Sequence, residues 1–499
     1  MSFLVDFKLD LIIIIINLSN NKEELWMSLW KTMNRKEDPR VYENKDGHLV
    51  RSLKVRDILA LGVGTIVSAS IFTLPGEVAA MHTGPAVAIS FILAAIAAGL
   101  VAFAYAEMAA AMPFAGSAYS WINVVFGEFW GWVAGWALLA EYFIALAFVG
   151  SGLSANLRAL IAPLGIKLPA ALSNAFGTDG GIVDIISLVS IALVAILISN
   201  GVNRVSRVEN GLVVLKVIAI LLFVVVGATA IKYSNYIPFI PKYRPTANGA
   251  FGGWQGIYAG VAMIFLSYIG FDSVAANSAE AIDPEKTMPR GIIGSLLIAV
   301  ILFVCVSLVL VGVMPYGKYA GSAEPVGLAL RYANHGIVAV VVQTIAVFGM
   351  FTALIGMSMA GSRLVYSFGR DGMLPKWLGK LDKNHRPNNA VLAITVAAIL
   401  IGTIFPFAAL SQLISAGTLI AFMFVSLGIY PLRRREGKDI TDPAFKMPLY
   451  PILPALAFLA SLVVFLGLDV QAKIYAIAWF ILGVIIYLVY GIRHSSLNK

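Results

Sequence analysis

Charge is what this chain has least of. Asp, Glu, Lys and Arg make up 13% of its 499 residues against 59% hydrophobic, and its mean hydropathy is +0.86. A water-soluble core does not need so little charge, so the composition excludes a soluble enzyme and implies a chain that crosses a membrane several times. Cysteine is nearly missing as well. Cys305 stands alone in an apolar run, which excludes a disulfide framework and a cysteine-based metal site. The five histidines, His48, His82, His335, His385 and His494, fall in or beside predicted loops, which argues against an intramembrane histidine relay, a haem or a zinc site. No complete P-loop, His-Glu-x-x-His or Gly-x-Ser-x-Gly occurs. ATP-driven transport and hydrolytic chemistry are therefore not expected, and neither is a cofactor.

What is present is a series of apolar runs broken by polar segments. They predict helices at 55–81, 84–112, 122–156, 182–200, 208–232, 254–281, 289–314, 335–366, 389–407, 410–432, 450–468 and 473–492. Twelve crossings return the C-terminus to the side of the N-terminus. The formal charge of +9 would suit a nucleic-acid partner, but it follows this topology instead. From Met27 onward, 25 Lys and Arg fall on one side of the predicted membrane and 8 on the other, which by the positive-inside rule puts both termini in the cytoplasm. One cation, Lys216, is left inside a predicted span.

The stretch Gly62-Val-Gly-Thr-Ile-Val-Ser-Ala-Ser-Ile-Phe72 lies inside the first of these runs and carries too many small residues for an uninterrupted helix. In lipid every backbone group must be satisfied, so a break there implies a buried polar ligand or a water-filled cavity. Phe265-Leu-Ser-Tyr-Ile-Gly-Phe-Asp272 has the same character later in the chain. Two broken helices facing each other at the membrane midplane are how transporters built from inverted repeats make a binding site. Gly62, Gly64 and Gly270 are the expected helix breakers.

Lys216 sits in Leu212-Val-Val-Leu-Lys-Val-Ile-Ala-Ile-Leu221, about two turns from either charged flank. Such a lysine is either a proton carrier for coupled transport or one half of an ion pair with Glu141 or Asp272. Glu141, deep in another apolar run, is expected to neutralise Lys216, to contact a substrate amine or to tie helices together. Glu107 and Asp272 lie nearer predicted helix ends, where water reaches them, and are read as structural. Gly127, Gly131 and Gly135 permit close helix contact. Trp121, Trp130 and Trp132 are expected to be interfacial anchors and packing residues.

The first-helix stretch resembles the signature of the amino acid-polyamine-organocation superfamily. Tyr105-Ala-Glu-Met108 with Pro113 and Gly116-Ser-Ala-Tyr119, and Phe271-Asp272 through Glu280, Asp283-Pro284 and Pro289, are similar to it too. So are Ser362-Arg363, Arg370-Asp-Gly-Met-Leu-Pro375 and Phe445-Lys-Met-Pro448 to Leu453-Pro454. The resemblance spans about residues 50 to 465 and is strongest to the cationic amino acid transporter branch. It implies an all-α membrane protein with a leucine-transporter-like 5+5 inverted repeat: repeat 1 over 55–232, repeat 2 over 254–432, and two appended helices over 450–492. A cytoplasmic tail over 27–54 and a cytoplasmic end over 493–499 complete this organisation.

The resemblance also implies that Ser68, Ala69 and Ser70 take a substrate carboxylate on their N–H groups. The carbonyls of Ile66, Leu266 and Ile269 would take the ammonium, and Lys216 would occupy the place of a coupling sodium ion. Where the superfamily has Gly-Thr-Gly or Gly-Ala-Gly, this chain has Ser68-Ala-Ser70, which adds two hydroxymethyl groups. The expected activity is secondary active transport of L-amino acids by alternating access with protons, in a bacterial plasma membrane. A cationic side chain would want a carboxylate in its pocket, and Glu141 is the only deep candidate; if Lys216 already uses it the pocket is apolar, so neutral or branched-chain substrates are favoured, with cationic ones as the alternative. An exchanger, or a membrane sensor or enzyme, is the alternative. Residues 1–26 read as a leader of another kind: Lys22-Glu23-Glu24 is what a purine-rich ribosome-binding site encodes, with Met27 as the start, the alternative being an amphipathic or disordered leader.

Overall fold

A computed structural model describes residues 27, 30–46, 51–114, 116–178, 180–200, 205–246, 249–322, 324–383 and 386–498. The expected leader, 1–26, lies outside them. The described chain is mostly helical. A short helix α1 (Pro39–Asp46) precedes the apolar elements. The first membrane-type helix then comes in two pieces, α2 (Val55–Ile66) and α3 (Ala69–Val78). Its start is fixed by Asp57, whose carboxylate accepts the Lys54 backbone N–H at 3.0 Å and so satisfies a donor that no helical carbonyl can reach.

The chain continues through α4 (Val87–Ala111), α5 (Ala118–Val125), α6 (Glu128–Ile161), α7 (Ile185–Asn200) and α8 (Val205–Ala228). A two-stranded hairpin, β1 (Arg244–Thr246) with β2 (Gly249–Phe251), leads to the second broken helix: α9 (Gly253–Ile264), a 3-10 turn over Phe265–Tyr268, and α10 (Phe271–Ala275). There follow α11 (Pro284–Val313), α12 (Pro325–Tyr332), α13 (Gly336–Arg370), α14 (Asn388–Ile404), α15 (Phe407–Arg435), α16 (Ile452–Leu466) and α17 (Val470–Ile486). Among the described residues, eight helical stretches are long and apolar enough to cross a membrane. The helices α7, α14 and α16 are equally apolar but shorter.

One expected helix, 122–156, is really two. Gly127 adopts φ +122° between α5 and α6, a conformation that glycine alone adopts without strain, and a Cβ there would press on the backbone of Asn34. The turn lets α5 fold back on α6, with Gly131 against Asn123 and Gly135 against Phe368 and Tyr119. Two of the three singled-out tryptophans serve packing rather than the interface. Trp121 and Trp132 are wholly buried, because each indole N–H has found a carbonyl inside the bundle, Met112 at 2.7 Å and Gly483 at 2.9 Å.

The helix α6 runs through the middle of the bundle, packed against α13 and α15. Both ends of the described chain meet at its first turn. The Glu128 carboxylate takes hydrogen bonds from Arg35 (2.7 Å), Ser495 (2.8 Å) and Tyr487 (3.1 Å), and Arg35 also reaches Asn498 at 2.7 Å.

Candidate substrate site at two helix breaks

The first break is made by two residues. Val67 (φ −82°, ψ 71°) and Ser68 (φ −110°, ψ −136°) leave the helical region, so the amide of Ser68, which would have bonded the Gly64 carbonyl, turns to Ile66 at 2.9 Å instead. The Gly64 carbonyl is released. On the far side, α3 begins with no side-chain cap, so the amides of its first turn, Ala69 and Ser70 among them, have no helical acceptor. Such a turn carries the positive end of a helix and suits an anion.

Gly62 and Gly64, expected at the break, lie inside α2. Their role is packing: a Cβ on Gly62 would collide with Ser295 of α11, and one on Gly64 would come within 2.7 Å of Val213 of α8. Gly270 does stand in the second break, at φ +129°, between Ile269 in extended conformation (ψ 142°) and the start of α10. Its added Cβ would sit 3.1 Å from the Ile66 amide. The two breaks therefore touch, and the Thr65 hydroxyl spans them, donating to Leu61 at 2.9 Å with Gly270 at 3.3 Å.

Around this junction lie Ile66, Ser68, Ala69, Ser70, Leu266 and Ile269, all buried. The carbonyl of Ile66 already accepts Ser68 N–H, and that of Leu266 accepts Ile269 N–H at 3.1 Å. Each carbonyl keeps a second lone pair. Four buried polar atoms in this part of the bundle have no hydrogen-bond partner: Ser70 Oγ on α3, Ser267 Oγ in the turn before Gly270, Tyr105 Oη on α4 and Glu141 Oε1 on α6. Unpaired buried polar groups cost free energy, so a cluster of them marks a place for a polar guest.

Lys216 is 1% exposed, and its ammonium donates to the Gly64 carbonyl at 2.9 Å. Its stem crosses Gly349 of α13, where a Cβ would come within 2.7 Å of Cε. Glu141 lies elsewhere in the network: its Oε2 accepts from Thr418 of α15 at 2.6 Å, and its carboxyl sits beside that of Asp272. Asp272, read from the sequence as sitting near a wet helix end, is fully buried, because α10 is only five residues long and starts at the break rather than at the membrane surface. Its carboxylate accepts from Gly270 N–H at 2.9 Å and Tyr142 Oη at 3.3 Å. Glu107 is also buried, as one half of an ion pair with Arg433 and an acceptor for Met447 N–H at 2.6 Å.

Sequence reasoning did not single out Thr65, Tyr142, Ser267 or Thr418. A hydroxyl in mid-helix commonly bonds back to its own turn, as Thr418 does to Ile414 at 3.0 Å, and nothing local distinguishes one that also reaches a neighbour.

Similarity to known proteins agrees with this geometry. The amino acid permease family matches residues 53–490, nearly the whole bundle. The chain belongs to that family. The branched-chain amino acid permease BcaP of Lactococcus lactis is 62% identical over 462 residues, covering 93% of this chain and 99% of the relative. A methylthioribose transporter of Bacillus subtilis is 35% identical, over 92% of this chain and 97% of its own length. A vacuolar cationic amino acid transporter of Arabidopsis thaliana is 34% identical, over 77% of this chain and 64% of its own. As an amino acid permease, the chain is a transporter rather than an enzyme.

Proposed function

We propose that this permease accumulates neutral, above all branched-chain, L-amino acids by proton symport, with alternating access around the two breaks. The observation that carries the reading is the meeting of α2–α3 with α9–α10, where free amide donors face carbonyl acceptors across a group of unpartnered polar atoms. The amides of Ala69 and Ser70, with the Ser68 segment, hold the substrate carboxylate. The carbonyls of Ile66, Leu266 and Ile269 hold its ammonium. Thirteen-atom helical rings cannot close here, so the amides have no helical acceptor and each carbonyl offers a remaining lone pair to a zwitterion.

The branched-chain preference rests on the 62% identical relative's cargo and on Glu141, which is engaged with Thr418 and Asp272 and so is poorly placed to serve a cationic side chain. Lys216 is the coupling residue, with Glu141 as the second ionisable group: the ammonium on Gly64 O stabilises one arrangement of the broken helix and releases it on losing its proton. Twelve crossings in a 5+5 inverted repeat, with both termini cytoplasmic in a bacterial plasma membrane, fit the contact between Arg35 and Asn498, since an even number of crossings brings both ends to one side. Repeat boundaries at 55–232 and 254–432 place one break in each half.

Uptake of labelled leucine and labelled arginine into liposomes holding the purified protein, with and without an inward proton gradient, tests this. Leucine accumulation that collapses with the gradient is expected. Arginine accumulation would place Glu141 in the side-chain pocket, and uptake that needs internal amino acid but no gradient would make the protein an exchanger.

A further inference from the structure

Among the buried carboxyls that the mechanism above leaves unused is one with an unpartnered oxygen. Glu77 lies near the end of α3, is 9% exposed, and its Oε2 is sealed from solvent without a hydrogen-bond partner. Among the described residues no Lys, Arg or His comes within ion-pair distance of it. The elements packed on α3 do carry polar groups, but these are engaged elsewhere. Tyr268 donates to Phe91 O and Tyr319 to Leu310 O, and the buried His82, in the turn that follows α3, is bonded through Nδ1 to the Ala250 carbonyl at 3.0 Å. Arg331 is paired with Glu324, and Lys318 lies over the Tyr332 ring. Glu141 belongs to the Thr418 and Asp272 network.

The position of Glu77 on its helix is the second observation. Residues 70, 73 and 77 fall on one face of α3 at helical spacing. Ser70, at the break, is 1% exposed and also carries an unpartnered hydroxyl, whereas Thr73 between them bonds back to Ala69 at 2.9 Å. A polar stripe thus runs from the substrate junction to Glu77, about 10 Å along the axis, and is unsatisfied at both ends. Gly76, beside it, faces Pro325 and Tyr319, so a different side of α3 makes the contact with α12.

A carboxylate ion with no cation beside it, and with one oxygen sealed from water without a donor, is costly in such surroundings, whereas the neutral acid is tolerated. We propose that Glu77 is a proton-binding group of the transport cycle: it is occupied by a proton while α3 is packed as here, and it releases that proton to water when α3 moves and opens the stripe. The step is a simple proton transfer between water and one carboxyl oxygen. Lys216 grips the α2 side of the break and Glu77 rides on the α3 side, so the two halves of the first helix each carry an ionisable group. This inference rests on the proton-symport reading.

The test compares Glu77→Gln and Glu77→Asp with the native protein in liposomes, by leucine accumulation under an imposed proton gradient and by leucine exchange without one. Glu77→Gln is expected to exchange normally while gradient-driven accumulation falls about tenfold or more and loses its pH dependence, with Glu77→Asp retaining both. Accumulation by Glu77→Gln at the native level overturns the proposal. So does a Glu77→Gln exchange KM raised several-fold, which would make Glu77 a station for the substrate ammonium. An infrared difference spectrum between acid and alkaline buffer needs no transport. Loss of a protonated-carboxyl C=O band in Glu77→Gln supports the assignment, and an unchanged spectrum overturns it even where symport holds. A native protein that exchanges leucine without responding to the gradient, yet shows the band, overturns the symport reading instead.

Discussion

The ammonium of Lys216 lies 2.9 Å from the carbonyl oxygen of Gly64, the acceptor released when the Ser68 amide turns to Ile66. A charged group from α8 thereby does what the fourth residue along an intact helix would have done. Lys216→Ala removes the donor to that carbonyl and with it the proposed coupling group. Gradient-driven leucine accumulation should then fall to the level of facilitated uptake, with leucine exchange retained. Full accumulation in a normally folded variant would show that the lysine is structural.

The buried hydroxyl of Ser70 has no hydrogen-bond partner among the described residues. Hydrogen bonds to charged groups contribute about 1.5–3 kcal/mol, so Ser70→Ala should raise the KM for leucine roughly tenfold or more with maximal rate little changed. Zero-gradient exchange kinetics measure this directly, and an unaltered KM would mean that this serine does not touch the substrate.

Gly270 combines a positive φ with close approach to Thr65 and Ile66. Gly270→Ala has to absorb about 1–3 kcal/mol of backbone strain and push the two breaks apart. Transport should be lost at a lowered Tm in detergent, while the conservative control Gly336→Ala, in open space at the start of α13, should change neither.

The ion pair between Glu107 and Arg433 joins α4 to the end of α15. Glu107 is wholly buried and the Arg433 side chain is 17% exposed, so losing the Glu107 charge leaves Arg433 only its longer contact with Glu436 at 3.8 Å and the Met447 carbonyl at 3.1 Å, at a cost of about 1–3 kcal/mol. Glu107→Gln should destabilise the protein in thermal unfolding, and replacing both partners, Glu107→Leu with Arg433→Met, should recover most of the loss. No recovery would mean that the bond to Met447 matters more than the charge.

The sequence reveals the existence of both interruptions better than their position. Small residues cluster from Gly62 to Ser70, but glycine in a packed bundle is also how a neighbouring helix comes close, and Ser295 and Val213 use Gly62 and Gly64 in that way. The chain leaves the helix only at Val67 and Ser68, where Lys216 of α8 takes up the Gly64 carbonyl and the Ser68 amide turns to Ile66. Lys216 stands out in the sequence because a cation amid aliphatic residues has no local excuse. Asp272 is harder to place, since its depth depends on α10 being a short helix that starts in mid-bundle. The Glu141 partner Thr418 lies 277 positions away, and no local pattern links the two.

The Gly64 oxygen is released from its own helix only while the first helix is interrupted. Were residues 64–70 to form an uninterrupted helix, the Ser68 amide would reclaim that oxygen and the Lys216 ammonium would have to share it. The interruption therefore sets how firmly α8 holds α2, so a change that heals the first helix would loosen a contact made by a residue outside it.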